Sequence, residues 1–187
     1  MGVREAKLEA PRARLEIPEG REEWTIPVRK NWIVLIFLPL WLMGWAAGEI
    51  AAAWQIVTKF DAFLAVWLTI WSVGGLFAIA TLAWQLRGRE IIRIEEDRPI
   101  HGCRGFGWNR DVAYQVSEIS GLAADRGPSF WERYYTQTPI IGFGRMGTVK
   151  FHYGARTIRM ATSVDEAEGR TIVAWLARRL PASATAA

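Results

Sequence analysis

The chain has 187 residues, 23 of them basic and 19 acidic, with a formal net charge of +4 and 51 % hydrophobic content. Its charges are unevenly placed: from Asn31 to Leu86 only Glu49, Lys59 and Asp61 are charged, and every other Lys, Arg, Asp and Glu lies outside that stretch. The gap excludes a purely water-soluble globule, because burying so long a nearly uncharged stretch needs a much larger protein around it, and it excludes a self-sufficient channel, because a stretch of this length gives two membrane crossings at most.

The segment before Asn31 is polar and interrupted by proline, with no apolar stretch behind a basic start and no small-residue cleavage site. This predicts that the first apolar span is a retained anchor and not a signal peptide. Residues 1–23 read as a flexible tail and residues 24–31 as an interfacial lead-in, with Trp24 to Val28 suited either to the membrane surface or to an added strand.

Two spans follow, from about 32 to 57 and from about 62 to 84, each long enough for a hydrocarbon layer of roughly 30 Å at about 1.5 Å per residue. The short link between them, Thr58 to Asp61, dictates an antiparallel helical hairpin over residues 32–86. Arg29 and Lys30 precede the first span, Arg87 and Arg89 follow the second, and the tip holds Lys59 offset by Asp61. By the positive-inside rule both termini then face the cytoplasm, at an inner membrane.

Within the spans, Gly44 and Gly48 form a small-xxx-small motif that Ala52 extends, and Gly74, Gly75 and Ala78 answer it on the second helix. Small residues let helix backbones approach closely where no hydrophobic effect drives association. They serve either to close this hairpin or to present an outward face to a partner. Trp41 with Trp45, and Trp67 with Trp71, lie one turn apart on single helix faces, and an indole buried in lipid needs an acceptor for its N–H. Glu49 is the one carboxylate at membrane depth, which marks a candidate site; its place toward the far end of the first span also puts headgroups or Lys59 within reach. Pro39 removes the bond to the Leu35 carbonyl and predicts a kink.

From 87 to 180 the pattern is mostly of period two: Ile92 and Ile94, then a turn at Glu95-Glu96-Asp97, a strand from Ile100 to Phe106, Val112 with Tyr114 and Val116, a strand near 119–124, and a hairpin of Val149, Phe151 and Tyr153 with Ile158 and Met160. Ser163 and Glu166 then read as a capping box, Ile172, Trp175, Leu176 and Leu180 fall at helical spacing, and Pro181 ends the helix before a flexible tail, 181–187. The fold class is a membrane α-helical hairpin plus a mainly-β (α+β) domain, an antiparallel sheet or barrel closed by a C-terminal helix. Phe106-Gly107, Arg110, Tyr114, Val116 and Ile119 resemble the third-strand signature of bacterial membrane proteins in which a two-helix hairpin precedes a pleckstrin-homology-like domain. The resemblance covers roughly residues 24 to 180 and implies a membrane-anchored interaction module; members of that group mostly lack an assigned activity, and some similar proteins accompany assembly of membrane complexes. The acidic turn at 95–97 departs from the basic turn of phosphoinositide-binding pleckstrin domains, so headgroup recognition by that route does not carry over.

Gly142-Phe-Gly144-Arg-Met-Gly147 spells a dinucleotide fingerprint, yet a strand rather than a helix is expected after it, so no nucleotide or other cofactor is implied. His101 and Cys103 share a strand face while His152 is distant; two histidines and one cysteine assemble neither a metal site nor a nucleophile with its base, so no catalytic or metal-binding residue is assigned. Ser129 to Tyr135 reads as a short helix with the pairs Phe130/Tyr134 and Trp131/Tyr135, which with Arg133 make a candidate soluble-domain interface. The mild, interspersed charge argues against nucleic acid. The expected function is that of a non-enzymatic accessory subunit or assembly factor of an integral-membrane complex in contact with membrane lipid. An anionic-lipid sensor is the alternative, and a membrane-bound enzyme with an unrecognised site the third.

Overall fold

A computed structural model describes residues 11–105, 108–126 and 147–185. The element order is β1 (Arg14–Glu16), β2 (Glu23–Pro27), α1 (Trp32–Thr58), α2 (Ala62–Arg87), β3 (Arg89–Glu95), β4 (Arg98–Gly105), β5 (Trp108–Ala113), β6 (Ile119–Ala124), β7 (Val149–Tyr153), β8 (Arg156–Met160), α3 (Glu166–Ala177) and α4 (Ala182–Thr185). Among the described residues two antiparallel sheets result, a five-stranded one in the order β1-β2-β3-β4-β5 and a three-stranded one in the order β6-β7-β8.

The two long helices are inserted into the larger sheet. β2 and β3 are neighbours, paired from Glu23↔Arg93 to Pro27↔Arg89, and the chain between them is the whole helical hairpin. One further backbone bond, Val28 N–H to the Gly88 carbonyl at 3.1 Å, extends the ladder to the helix bases. There the Asn31 N–H donates to Oε1 of the buried Gln85 at 3.1 Å, tying the start of α1 to the end of α2. Asn31 also caps α1 by accepting from the Ile33 and Val34 amides, and Asp61 caps α2 by accepting from Leu64.

This placement corrects the division expected at residue 23. Arg14–Glu16 and Glu23–Pro27 are strands of the same sheet as β3, β4 and β5, and Ile26 is wholly buried. The domain is therefore assembled from both sides of the hairpin. The polar character of residues 12–23 hid this, because β1 is an exposed edge strand joined to β2 mainly through its backbone ladder.

The core lies between the sheets and α3. Ile26, Ile92, Val149, Phe151, Met160, Ile172 and Leu176 fill it, each at most 2 % exposed. Tyr114 sits edge-on to both Phe151 (5.2 Å) and Tyr153 (5.3 Å). α3 docks through Trp175, which meets Trp24 edge-to-face at 6.4 Å, donates Nε1–H to Glu22 Oε2 at 2.9 Å and lies under the Arg179 guanidinium at 4.6 Å. A core of this kind contributes about 2–5 kcal/mol per large side chain against truncation to alanine.

Two helix-end expectations are corrected. The capping box is Asp165 with Glu168, in place of Ser163 with Glu166; Ser163 Oγ instead accepts the Arg29 amide at 3.1 Å. Glu168 also accepts the amides of Arg12 and Ala13, so one carboxylate closes α3 and fastens the chain leading into β1. Beyond Pro181 the expected tail forms α4, whose Ala184 is buried.

Candidate functional site

The hairpin uses its small residues unequally. A Cβ added at Gly75 would fall 2.0 Å from the Trp45 ring, whereas at Gly44, Gly48 and Gly74 it would meet nothing within 4 Å. Trp45 thus lies across Gly75, and its Nε1–H donates to the Trp71 carbonyl at 3.2 Å, one turn before that glycine. Carbonyls inside a helix keep a second lone pair, and here that lone pair accepts the Trp45 N–H. Ala52 and Ala78 are buried. Trp71 stacks on Trp67 at 4.7 Å and lies 6.3 Å from Trp41; Trp41 and Trp67 are 37 % and 39 % exposed.

Glu49 faces α2. It is hydrogen-bonded to Ser72 Oγ, which corrects the expectation that it reaches Lys59 or headgroups: the side chain falls on the same α1 face as Trp45, four positions earlier, and that face is the seam. Its second oxygen, Oε2, is buried without a hydrogen-bond partner among the described residues.

In the domain the structure assembles a polar cluster that the sequence did not single out. Glu90, 4 % exposed, accepts from His101 Nε2 at 2.6 Å, from the Ala161 amide at 2.7 Å, and from the amide and hydroxyl of Thr162 at 2.9 and 3.0 Å. Burial pushes the carboxyl upward, but the His101 hydrogen bond and charge and the two backbone amides outweigh it, leaving its pKa below the ordinary value of 4.5. A signal was present: Glu90 shares the period-two face of Ile92 and Ile94, both of which pack in the core. Its neighbour across the ladder, Cys103, is buried, and desolvation moves that thiol far above its usual range. Such a thiol is not a nucleophile. His152 Nδ1 lies 3.2 Å from the Thr157 hydroxyl on the other sheet. Among the described residues no three metal-binding side chains converge.

The outer face of the larger sheet carries ion pairs: Arg93 with Glu23, Glu95 and Asp111 at 3.2–3.5 Å, and Arg104 with Asp111. The Arg104 hydrogen bond lowers the Asp111 pKa despite partial burial. Phe130, Trp131, Arg133, Tyr134 and Tyr135, the expected soluble-domain interface, lie outside the described residues, as does all of the 142–147 glycine run except Gly147. Gly147 has φ +155°, and a Cβ there would fall 2.0 Å from the Met160 carbonyl oxygen; that glycine allows a close backbone crossing.

No protein-family model matches the chain, and no curated protein matches it in sequence.

Proposed function

We propose that this protein is a non-enzymatic, membrane-anchored interaction module, an accessory or assembly subunit of a larger complex of the bacterial inner membrane. The observation that carries the reading is the division of labour among the glycines. Gly75 is spent on Trp45 inside the hairpin, while a Cβ added at Gly44 or Gly48, one turn apart on α1, would meet nothing within 4 Å. Glycine inside a helix costs about 1 kcal/mol relative to alanine, and in a membrane the common return on that cost is close approach by another helix. Two helices of 27 and 26 residues, long and apolar enough to span, provide the anchor. Both helix bases enter one sheet, which supports a domain held on one side of the bilayer. Exposed Arg29, Lys30, Arg87 and Arg89 surround those bases, so that side is the cytoplasm by the positive-inside rule. Antiparallel strands packed on a C-terminal helix are what kinship with pleckstrin-homology-like domains implies, and we extend the proposal to that kinship.

The test is native electrophoresis after mild detergent extraction. Gly44→Ile with Gly48→Ile is expected to release the protein from a larger assembly without unfolding it. An unchanged assembly, or a wild-type protein that migrates alone, sinks the reading.

A second reading, contact with anionic lipid, draws on the charge polarity of the sheet: Arg29, Lys30, Arg87 and Arg89 lie at the helix end, while Glu95, Glu96 and Asp97 lie at the opposite end of β3. Binding of the solubilised protein to anionic but not zwitterionic vesicles, lost on replacing those four basic residues by glutamine, is its expected signature.

A further inference from the structure

The contacts of Ser72 do not balance if Glu49 is ionised. Ser72 Oγ lies 2.8 Å from the Leu68 carbonyl oxygen and is also bonded to Glu49 Oε1. A hydroxyl has one hydrogen, and both neighbours would be pure acceptors. That single hydrogen, shared with a carbonyl, would then be all that solvates a carboxylate whose other oxygen is buried and unpartnered among the described residues. No countercharge is at hand on either helix. α2 has no charged residue before Arg87, and the nearest charge along α1 is Lys59, ten positions and about 15 Å away. An ion so placed in hydrocarbon is costly.

One added hydrogen resolves every contact. If Glu49 carries a proton, its O–H donates to Ser72 Oγ and the Ser72 O–H donates to Leu68, the common back-bond of a helical serine. We propose that Glu49 and Ser72 form a proton-binding site at membrane depth, and that Glu49 is consequently a modification site for lipid-soluble carboxyl reagents. The inference rests on the membrane reading given above. The side chain bonded to Glu49 is Ser72, whose own hydroxyl lies against the Leu68 carbonyl, and neither group carries a charge.

The chemistry follows from the proton. A lipid-soluble carbodiimide takes the Glu49 proton on one nitrogen while the carboxyl oxygen adds to its central carbon, giving an O-acylisourea. The acyl group then migrates from oxygen to nitrogen and leaves a stable N-acylurea. No atom is lost and no oxidant or reductant enters. An ionised carboxylate does not supply the first step, and a water-soluble cationic carbodiimide does not reach the site.

The experiment uses the full chain in lipid nanodiscs at neutral pH. Treatment with dicyclohexylcarbodiimide followed by peptide mass spectrometry is expected to place an adduct on Glu49, with complete loss of that adduct in Glu49→Gln. The water-soluble reagent is expected to label surface carboxyls such as Glu96 and Asp97 and to spare Glu49. Infrared difference spectra supply a reading independent of reagent access. A protonated-carboxyl carbonyl band that vanishes in Glu49→Gln and shifts in Ser72→Ala supports the inference, and a carboxylate band lost in Glu49→Gln overturns it whatever the labelling shows. Protein stripped from native membranes by alkaline carbonate overturns the membrane reading and this inference together; retained protein with an ionised Glu49 overturns only the latter.

Discussion

Glu90 Oε1 accepts the backbone N–H of Ala161, a non-glycine residue held at φ +64° and fully buried. The left-handed conformation costs about 1 kcal/mol or more. Across the corner the Ala161 carbonyl accepts the Thr148 amide at 3.2 Å. A carboxylate at the foot of α2 therefore fixes the turn that launches the C-terminal helix, far along the chain.

Replacing Glu90 by glutamine turns an acceptor-only group into one that must aim an amide N–H at other donors. A loss of about 2–3 kcal/mol is expected, read as a lowered midpoint of urea unfolding in detergent. The pH dependence has a defined sign. Because the folded-state pKa lies below 4.5, the contribution of Glu90 is fully present above that value and is lost as pH falls through the folded one. Wild type and Glu90→Gln are expected to converge in stability as pH drops below about 4.5; a gap that widens on acidification contradicts the assignment.

Trp45 and Gly75 form a fitted pair. Gly75→Val places its Cβ against the Trp45 ring and is expected to cost about 1–3 kcal/mol through overpacking, seen as an early thermal transition of the solubilised hairpin. Trp45→Ala in the same chain is expected to restore much of that loss, since it removes the clashing ring. The same change at Gly44 meets open space and is expected to leave hairpin stability unchanged to within about 0.5 kcal/mol.

The insertion of the hairpin between two paired strands makes a stronger forecast. A chain beginning at residue 87 lacks β1 and β2, leaves β3 as an open apolar edge and removes the buried Ile26; it is expected to aggregate. By contrast, joining Val28 to Gly88 through an Asn-Gly turn keeps the β2–β3 ladder and is expected to give a soluble, cooperatively folding domain. Circular dichroism and gel filtration of the two chains decide the matter.

Gly147→Ala is expected to destabilise the domain by more than about 2 kcal/mol, since the added Cβ meets the Met160 backbone and no flexible side chain can yield. The midpoint of denaturant unfolding measures it.

Much of the architecture is local and was readable from the chain. Two nearly uncharged stretches of helical length, a short link and period-two alternation ending in an amphipathic helix follow from the rise of the α-helix and the two-fold pleat of the strand, neither of which needs a partner elsewhere. The turn at Glu96 and Asp97, both at positive φ, was legible for the same reason.

What lay beyond the sequence depended on contacts between distant segments. Glu49 is one residue among small and apolar neighbours, and only the rotation of α1 against α2 decides that it meets Ser72 while Gly48 beside it faces outward. Glu90 had the parity of a core residue and the chemistry of a surface one; burial became tolerable only because His101, Ala161 and Thr162 converge on it from two other parts of the chain. The charge gap between Asn31 and Leu86 determined by itself that this protein joins two long apolar helices to a charged domain. That the hairpin grows out of the middle of the domain's sheet was decided by strand pairing, whose backbone hydrogen bonds carry no side-chain signature.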